Sequence, residues 1–268
     1  MKELGLSDMK KIQIEILKDF SRYCNENNLM YFLGYGTLLG AVRHKGYIPW
    51  DDDIDIIMPR GDYDKFISNF CSDNKKLEVL DVSNEPDYTF PFVKISDNST
   101  ILQEDYAINF NRLGINIDIF PIDGAPVSED ERGRILGKIK FYRNILKVKY
   151  VTISSRNNFL INLIATLGRV LFYFIDYRNL LKKINTISRG VEFGKNDSAG
   201  CLVWNYGAKE IMDKDIFTES IKIEFENSFY NAPKNYDEYL KNLYGDYMTL
   251  PPKEKRVSHH RFKAYRKV

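Results

Sequence analysis

The sequence predicts a mixed α/β fold: a sheet core flanked by helices, then a helical lobe, then a C-terminal α/β segment. Three observations carry this. Residues 1–128 alternate helical-period apolar patterns with short apolar runs of strand length, the pattern of a small mixed core. Residues 129–199 open with a long proline-free stretch, Glu129 to Gly190, rich in Lys, Arg, Ile, Leu and aromatics. Residues 200–268 return to short runs of a different texture. The sequence has no repeats, low-complexity tracts or flexible linkers, so the three segments are expected to fold together, the last packing on the first.

From Asp8 to Asn27 the apolar residues Met9, Ile12, Ile16, Phe20 and Tyr23 recur at helical spacing. They predict an amphipathic helix capped by Ser7 or Asp8. "LMYFLGYG" reads as a short strand ending in glycine, and "TLLGAVRHKG" as a short helix closed by Gly46. "DDDIDIIMP" alternates as a strand does, and "PRGDYDKFISNF" follows as a helix. "FPFVKIS" and "STILQED" predict strands joined by a turn at Asp97–Asn98. "GINIDIFPIDG" predicts a strand stopped by Pro121 and Gly124, with Asp123 as a turn residue. After Gly200, "CLVWNYG", "IMDKDIF" and "IKIEFENSFYNAP" lead to a helix, "NYDEYLKNLYGDY", and a basic tail read as a solvated end.

Composition narrows the function. The chain has 268 residues, 44% hydrophobic and 28% charged, with a formal net charge of +2. That balance is ordinary for a soluble globular protein and gives no excess for binding nucleic acid. Three widely spaced cysteines, Cys24, Cys71 and Cys201, suggest reduced thiols rather than a disulfide framework or a zinc site. The N-terminus has no apolar signal core. The most apolar stretch, Phe159 to Tyr177, is interrupted by Asn162 and Arg169, so a buried or membrane-surface helix is expected in place of a span. A cytoplasmic protein is the expectation.

The stretch "GYIPWDDDIDIIMP" loads a strand with four aspartates. On a strand, Asp51, Asp53 and Asp55 would share one face, with Asp52, Ile54 and Ile56 on the other. A solvent-facing acidic strand is one reading. Against it, aspartate is depleted in strands and neighbouring like charges repel, while Ile56, Ile57 and Met58 continue as a two-sided apolar run. Carboxylates in such a place need a counter-charge, which a divalent cation supplies best. An all-oxygen donor set points to Mg²⁺ or Mn²⁺ rather than zinc. A second apolar strand carries Asp118 between Ile117 and Ile119, where metal binding or catalysis explains a carboxylate. Upstream, Gly34, Gly36 and Thr37 mark a strand-to-helix junction, which offers free N–H groups and a positive dipole end to a phosphate. A phosphate cradle beside metal-binding carboxylates is equipment for attack at phosphorus.

"YGTLLGAVRHKGYIPWDDDIDI" resembles the LicD family of phosphotransferases, related to fukutin and fukutin-related protein within the nucleotidyltransferase-fold superfamily. "VKISDNST", "GINIDIFPIDG" and "YGDYMTLPPKEKRVSHH" resemble further family segments, so the likeness spans nearly the whole chain. It implies a nucleotidyltransferase-like sheet core and transfer of phosphocholine from CDP-choline to a sugar hydroxyl of teichoic acid or lipopolysaccharide. Ribitol or glycerol phosphate is the alternative cargo, and a true nucleotidyltransferase a further alternative. By the same resemblance Gly36 and Thr37 hold donor phosphate, Asp53 and Asp55 bind the metal, Asp51 adds to them, and Asp118 is the third carboxylate and helps deprotonate the acceptor.

Other residues have two readings each. Arg43, His44 and Lys45 complement a helix C-terminus or touch phosphate. Lys94, in an apolar strand, reaches a phosphate or a carboxylate. Arg256, His259 and His260 belong to a solvated tail, or by resemblance close over donor or acceptor. A quaternary ammonium is held by aromatic faces; Trp50, Trp204, Tyr206, Tyr244 and Tyr247 are the candidates. A lipid-linked glycan acceptor would lie at a membrane, so the 135–180 lobe is expected either to touch the inner leaflet peripherally or to be a buried helical lobe.

Overall fold

The computed structural model describes residues 1–104, 112–150, 159–257 and 262–267; His259 and His260 lie outside them. The chain runs β1 (Lys2–Leu4), α1 (Leu6–Glu26), β2 (Phe32–Leu33), α2 (Tyr35–His44), β3 (Asp55–Pro59), α3 (Arg60–Asn69), β4 (Leu77–Leu80), β5 (Val93–Asp97) and β6 (Thr100–Glu104). It continues through β7 (Asn116–Gly124), α4 (Glu129–Tyr150), α5 (Phe159–Leu171), α6 (Tyr177–Ser188), β8 (Ser198–Gly200), β9 (Met212–Asp213), β10 (Ser220–Phe225), β11 (Ser228–Pro233), α7 (Tyr236–Tyr244) and β12 (Phe262–Arg266). This is a mixed α/β fold, as the sequence predicts.

The central sheet has the order β2-β3-β7-β5-β4, with β8 and then β9 added beyond the end of β7. β3 and β7 run parallel; β2, β5 and β4 are antiparallel to their neighbours. One side of the amphipathic α1 buries Met9, Ile12, Ile16, Leu17, Phe20 and Cys24. Phe20 meets Tyr31 and Phe66 edge to face at 5.0 and 5.2 Å, so α1 and α3 share one aromatic layer. β10 and β11 form a hairpin whose turn residues Glu226 and Asn227 both have positive φ, 49° and 57°, the turn that two-residue hairpins favour.

Several sequence expectations change. α1 starts at Leu6 with Gly5 as its cap; the Gly5 carbonyl accepts from Asp8 and Met9, which places Ser7 and Asp8 inside the first turn. α2 is ended by Lys45 in the left-handed region, one residue before Gly46. The acidic strand begins only at Asp55, where its parallel pairing with β7 starts opposite Asp118; β2 pairs only with Ile56 and Ile57, and residues 51–54 form the loop before the strand. β7 passes through Pro121 without stopping. Its pairing with β5 ends at Ile119 and that with β8 begins at Asp123, so the proline sits where no N–H is needed on that edge. Asp123 is no turn residue: it is 1% exposed and takes both forks of Arg60 at 2.7 Å. The basic tail is not a loose end, since β12 pairs with both β1 and β6 and joins the two chain termini in one small sheet.

Candidate functional site

The loop Asp51–Asp53 wraps against the start of α2. The Asp51 amide donates to the Ile48 carbonyl at 2.9 Å, and the Asp52 amide to Asp51 Oδ1 at 3.2 Å. A Cβ on Gly36 would come within 2.8 Å of Asp51 Oδ2, so glycine at 36 makes room for that carboxylate. Asp51, Asp52 and Asp53 do not alternate between faces. Each can present an oxygen within 4.8 Å of the others, the one such acidic group among the described residues. Gln13, buried in α1, ties this loop down by donating to the carbonyls of Asp52 and Asn116 at 3.0 and 3.3 Å.

The sheet supplies the rest of the charge. Register places Lys94, Asp118 and Asp55 side by side on β5, β7 and β3, hence on one face. Lys94 Nζ donates to Asp118 Oδ1 at 2.5 Å and to Asn116 Oδ1 at 3.2 Å. Thr37 Oγ1 accepts from the Asp55 amide at 2.8 Å, which fixes the start of β3 to the first turn of α2. The Asp55 carboxyl is pushed well above the usual range, first by burial, then by Asp53, Asp118 and Asp51, with Lys94 opposing. Lys94 on Asp118, and Lys10 facing Asp51, Asp52 and Asp53, offset part of this negative charge. In α2 the Gly36 and Thr37 amides precede the helix's own hydrogen-bond ladder.

Over these groups closes a cavity of 170 Å³. Asp52, Asp53, Asp55, Asp118 and Lys94 line its floor; Phe90, Phe92, Phe120, Trp204, Tyr206 and Tyr35 line its wall. Trp204 stands edge-on to Phe92 at 5.2 Å and to Tyr206 at 6.2 Å. The ammonium of Lys94 lies 4.4 Å from the Phe90 ring centre, so a ring of this wall already faces a cation. Phe262 of β12 adds to the lining.

Sequence reasoning missed Glu210, which organises the wall. Tyr35 enters α2 with φ of +42°, a strained conformation for a bulky residue. It is held there by its hydroxyl, which donates to Glu210 Oε1 at 2.5 Å, and by ring contacts with Phe120 and Tyr206. The Tyr206 amide donates to the other Glu210 oxygen. Burial pushes the Glu210 carboxyl up to about 7, against the lowering effect of these hydrogen bonds. No local pattern marks Glu210, because its partners are 4 and 175 residues away.

The remaining candidates split. Trp204 and Tyr206 line the cavity. Tyr244, on α7, is 42% exposed as a residue, yet the pKa of its hydroxyl end is pushed up first by burial and then by Asp55, Tyr206, Asp51 and Asp53, so that end is turned toward the acidic cluster. Arg43, Trp50, Tyr247 and Arg256 gather at the C-terminal end of α2 and do not line this cavity. There Arg43 Nη1 donates to the Tyr247 carbonyl at 3.0 Å, and the Arg256 guanidinium lies 5.8 Å from the Trp50 ring. The Tyr247 hydroxyl is committed to Asp237 at 2.8 Å.

A family profile described as "LicD/FKTN/FKRP, nucleotidyltransferase domain" matches residues 28–143, which include the whole acidic cluster. The chain is 30% identical over 275 residues to the lipopolysaccharide cholinephosphotransferase LicD of Haemophilus influenzae, covering 99% of each. It is also 44% identical over 57 residues to an uncharacterized protein of Rickettsia typhi, covering 21% of this chain and 18% of that protein.

Proposed function

This chain belongs to the LicD family, and we propose that it moves phosphocholine from CDP-choline to a hydroxyl of a lipopolysaccharide-type glycan, with release of CMP. The enzyme class, a phosphotransferase, follows from the family. The observation that carries the finer reading is the cavity itself: a carboxylate-rich floor without histidine or cysteine and an aromatic wall in one small space. A quaternary ammonium has no hydrogen bond to give and is best held by aromatic faces. Ribitol or glycerol phosphate would want hydroxyl-binding side chains, so the wall of Phe90, Phe92, Phe120 and Trp204 favours choline.

A metal fits the donor set. Oxygen ligands without histidine or cysteine suit Mg²⁺ or Mn²⁺, and the mutual repulsion felt at Asp55 is what a cation relieves. Asp51 and Asp53, with Asp55 and Asp118 beside them, would hold it. Bound there, it would neutralise the donor diphosphate and the departing phosphate of CMP.

The chain's own groups do the rest. The Gly36 and Thr37 amides donate to donor phosphate oxygens at the positive end of α2. Aromatic rings of the wall hold the choline end. The acceptor oxygen bonds to the phosphorus that carries choline, the bond from that phosphorus to the bridging oxygen breaks, and CMP leaves with the electron pair. Asp118 has one oxygen bonded to Lys94; the other takes the acceptor proton as general base.

The test is CMP release from CDP-choline with lipopolysaccharide as acceptor, with Mg²⁺ or with a chelator. CMP formed only with acceptor and metal is expected. Pyrophosphate release, or turnover of CDP-ribitol or CDP-glycerol in place of CDP-choline, would overturn the choline reading. A teichoic acid acceptor run in parallel decides between the two glycan classes.

A further inference from the structure

Helix α5 is packed inside out. Ala165 and Gly168 are buried, and a Cβ on Gly168 would collide with Val148 of α4. Its large side chains point the other way. Leu160, Leu163, Ile164, Leu167 and Leu171 recur at helical spacing and are all exposed, Leu167 by 60% and Leu171 by 75%. Phe174, just beyond the helix, is 93% exposed, and Phe141 on the neighbouring α4 is exposed as well. A surface helix of a globular protein turns this stripe to the core, and contiguous apolar surface of this kind marks an interaction site.

The charge around it says what it meets. Between Glu131 and Asp176 the sequence holds nine Lys and Arg and no Asp or Glu. Of these, Arg134 and Lys138 are exposed on the side of α4 that carries Phe141, at spacings of seven and three residues from it, while the exposed Lys140 and Lys147 lie on another side, near Tyr206. No helix among the described residues is long and apolar enough to cross a membrane. An apolar helix face within an acid-free, cation-rich span of sequence matches a bilayer interface with anionic headgroups, where apolar burial and charge attraction add.

We infer that α5, with Arg134 and Lys138 beside the exposed Phe141 of α4, docks this protein on an anionic lipid surface, the side chains of Leu163 and Leu167 entering the acyl boundary. α4 also lays Arg143 over the Trp204 ring, 4.2 Å from its centre, so the docking helices and the cavity wall are joined by one rigid element. The inference rests on the exposed face and its charge and stands apart from the choice of donor.

Flotation of the full chain with vesicles tests it directly. Binding to phosphatidylcholine mixed with phosphatidylglycerol is expected, weaker binding to phosphatidylcholine alone, and partial release by salt. The double variant Leu163→Glu with Leu167→Glu, changed at exposed positions, should melt with the parent and bind the mixed vesicles about tenfold or more weakly. Equal binding by parent and variant, or no binding by the parent to either vesicle, would overturn the inference. So would a parent that self-associates through this face, with the variant monomeric and neither floating.

Discussion

Trp204 shows how much one aromatic residue depends on its place. The sequence offers eighteen tyrosines, seventeen phenylalanines and two tryptophans, and five aromatics stood as candidates for the choline end. Trp204 and Tyr206 line the cavity above the carboxylates, whereas Tyr247 spends its hydroxyl on Asp237 and its carbonyl on Arg43. A desolvated cation–π contact contributes about 2 kcal/mol. Trp204→Ala should therefore weaken CDP-choline binding roughly thirtyfold and leave CMP binding near the parent value, by calorimetric titration of both ligands. Equal weakening of the two would assign Trp204 to the nucleotide. Tyr247→Ala should show no such selectivity. Asp123 teaches the same point in reverse. In sequence it is one more aspartate after a proline; in space it is a buried partner of Arg60, and its charge serves the fold.

At the scale of elements, the short turn around Glu210 and the start of α2 act as one unit. Glu210 fastens Tyr35 in a strained backbone conformation beside the two amides proposed to meet phosphate. Its burial raises the carboxyl from 4.5 to about 7, and the sign of the consequence is fixed. Between those two values the unfolded chain has released the glutamate proton and the folded chain keeps it. Stability contributed at this site is thus present below pH 4.5 and falls as pH rises to about 7, by about 3 kcal/mol. Glu210→Gln should flatten the dependence of Tm on pH across that window relative to the parent. A variant whose pH profile stays parallel to the parent's would show that Glu210 titrates at its ordinary value.

At the scale of the whole molecule, the acidic cluster is a point of stored repulsion at one end of the central sheet. Asp55 is flanked by Asp51, Asp53 and Asp118 and opposed by Lys94 alone among the groups named at it. A ligand that binds only the folded state stabilises the entire fold, by about 2.7 kcal/mol at a hundredfold excess over its Kd. Mg²⁺ should raise the Tm of the parent and leave that of Asp53→Asn unchanged. Without metal, Asp53→Asn should melt at or above the parent, since one repelling charge is gone. Its transfer activity should fall about a hundredfold or more, the scale of losing one preorganised electrostatic contact. A magnesium-independent Tm in the parent would remove the metal from the proposal.

The sequence by itself determined the mixed α/β class, the α1 stripe and the two apolar strands that carry Asp55 and Asp118. It also marked the acid-free span between Glu131 and Asp176. These are local signals: spacing sets which face a side chain takes, and a carboxylate among isoleucines stands out within a few residues. Tertiary structure decided the rest. That Asp51, Asp52 and Asp53 converge from a loop follows from the turn the Asp51 amide closes on the Ile48 carbonyl and from the room Gly36 leaves, which no spacing in the acidic run encodes. That Lys94 meets Asp118 follows from the β5–β7 register, and that Glu210 holds Tyr35 from a contact across 175 residues. The outward turn of α5 follows from which side fits against Val148. Periodicity fixes a face relative to its own element; only packing between distant elements fixes what that face meets.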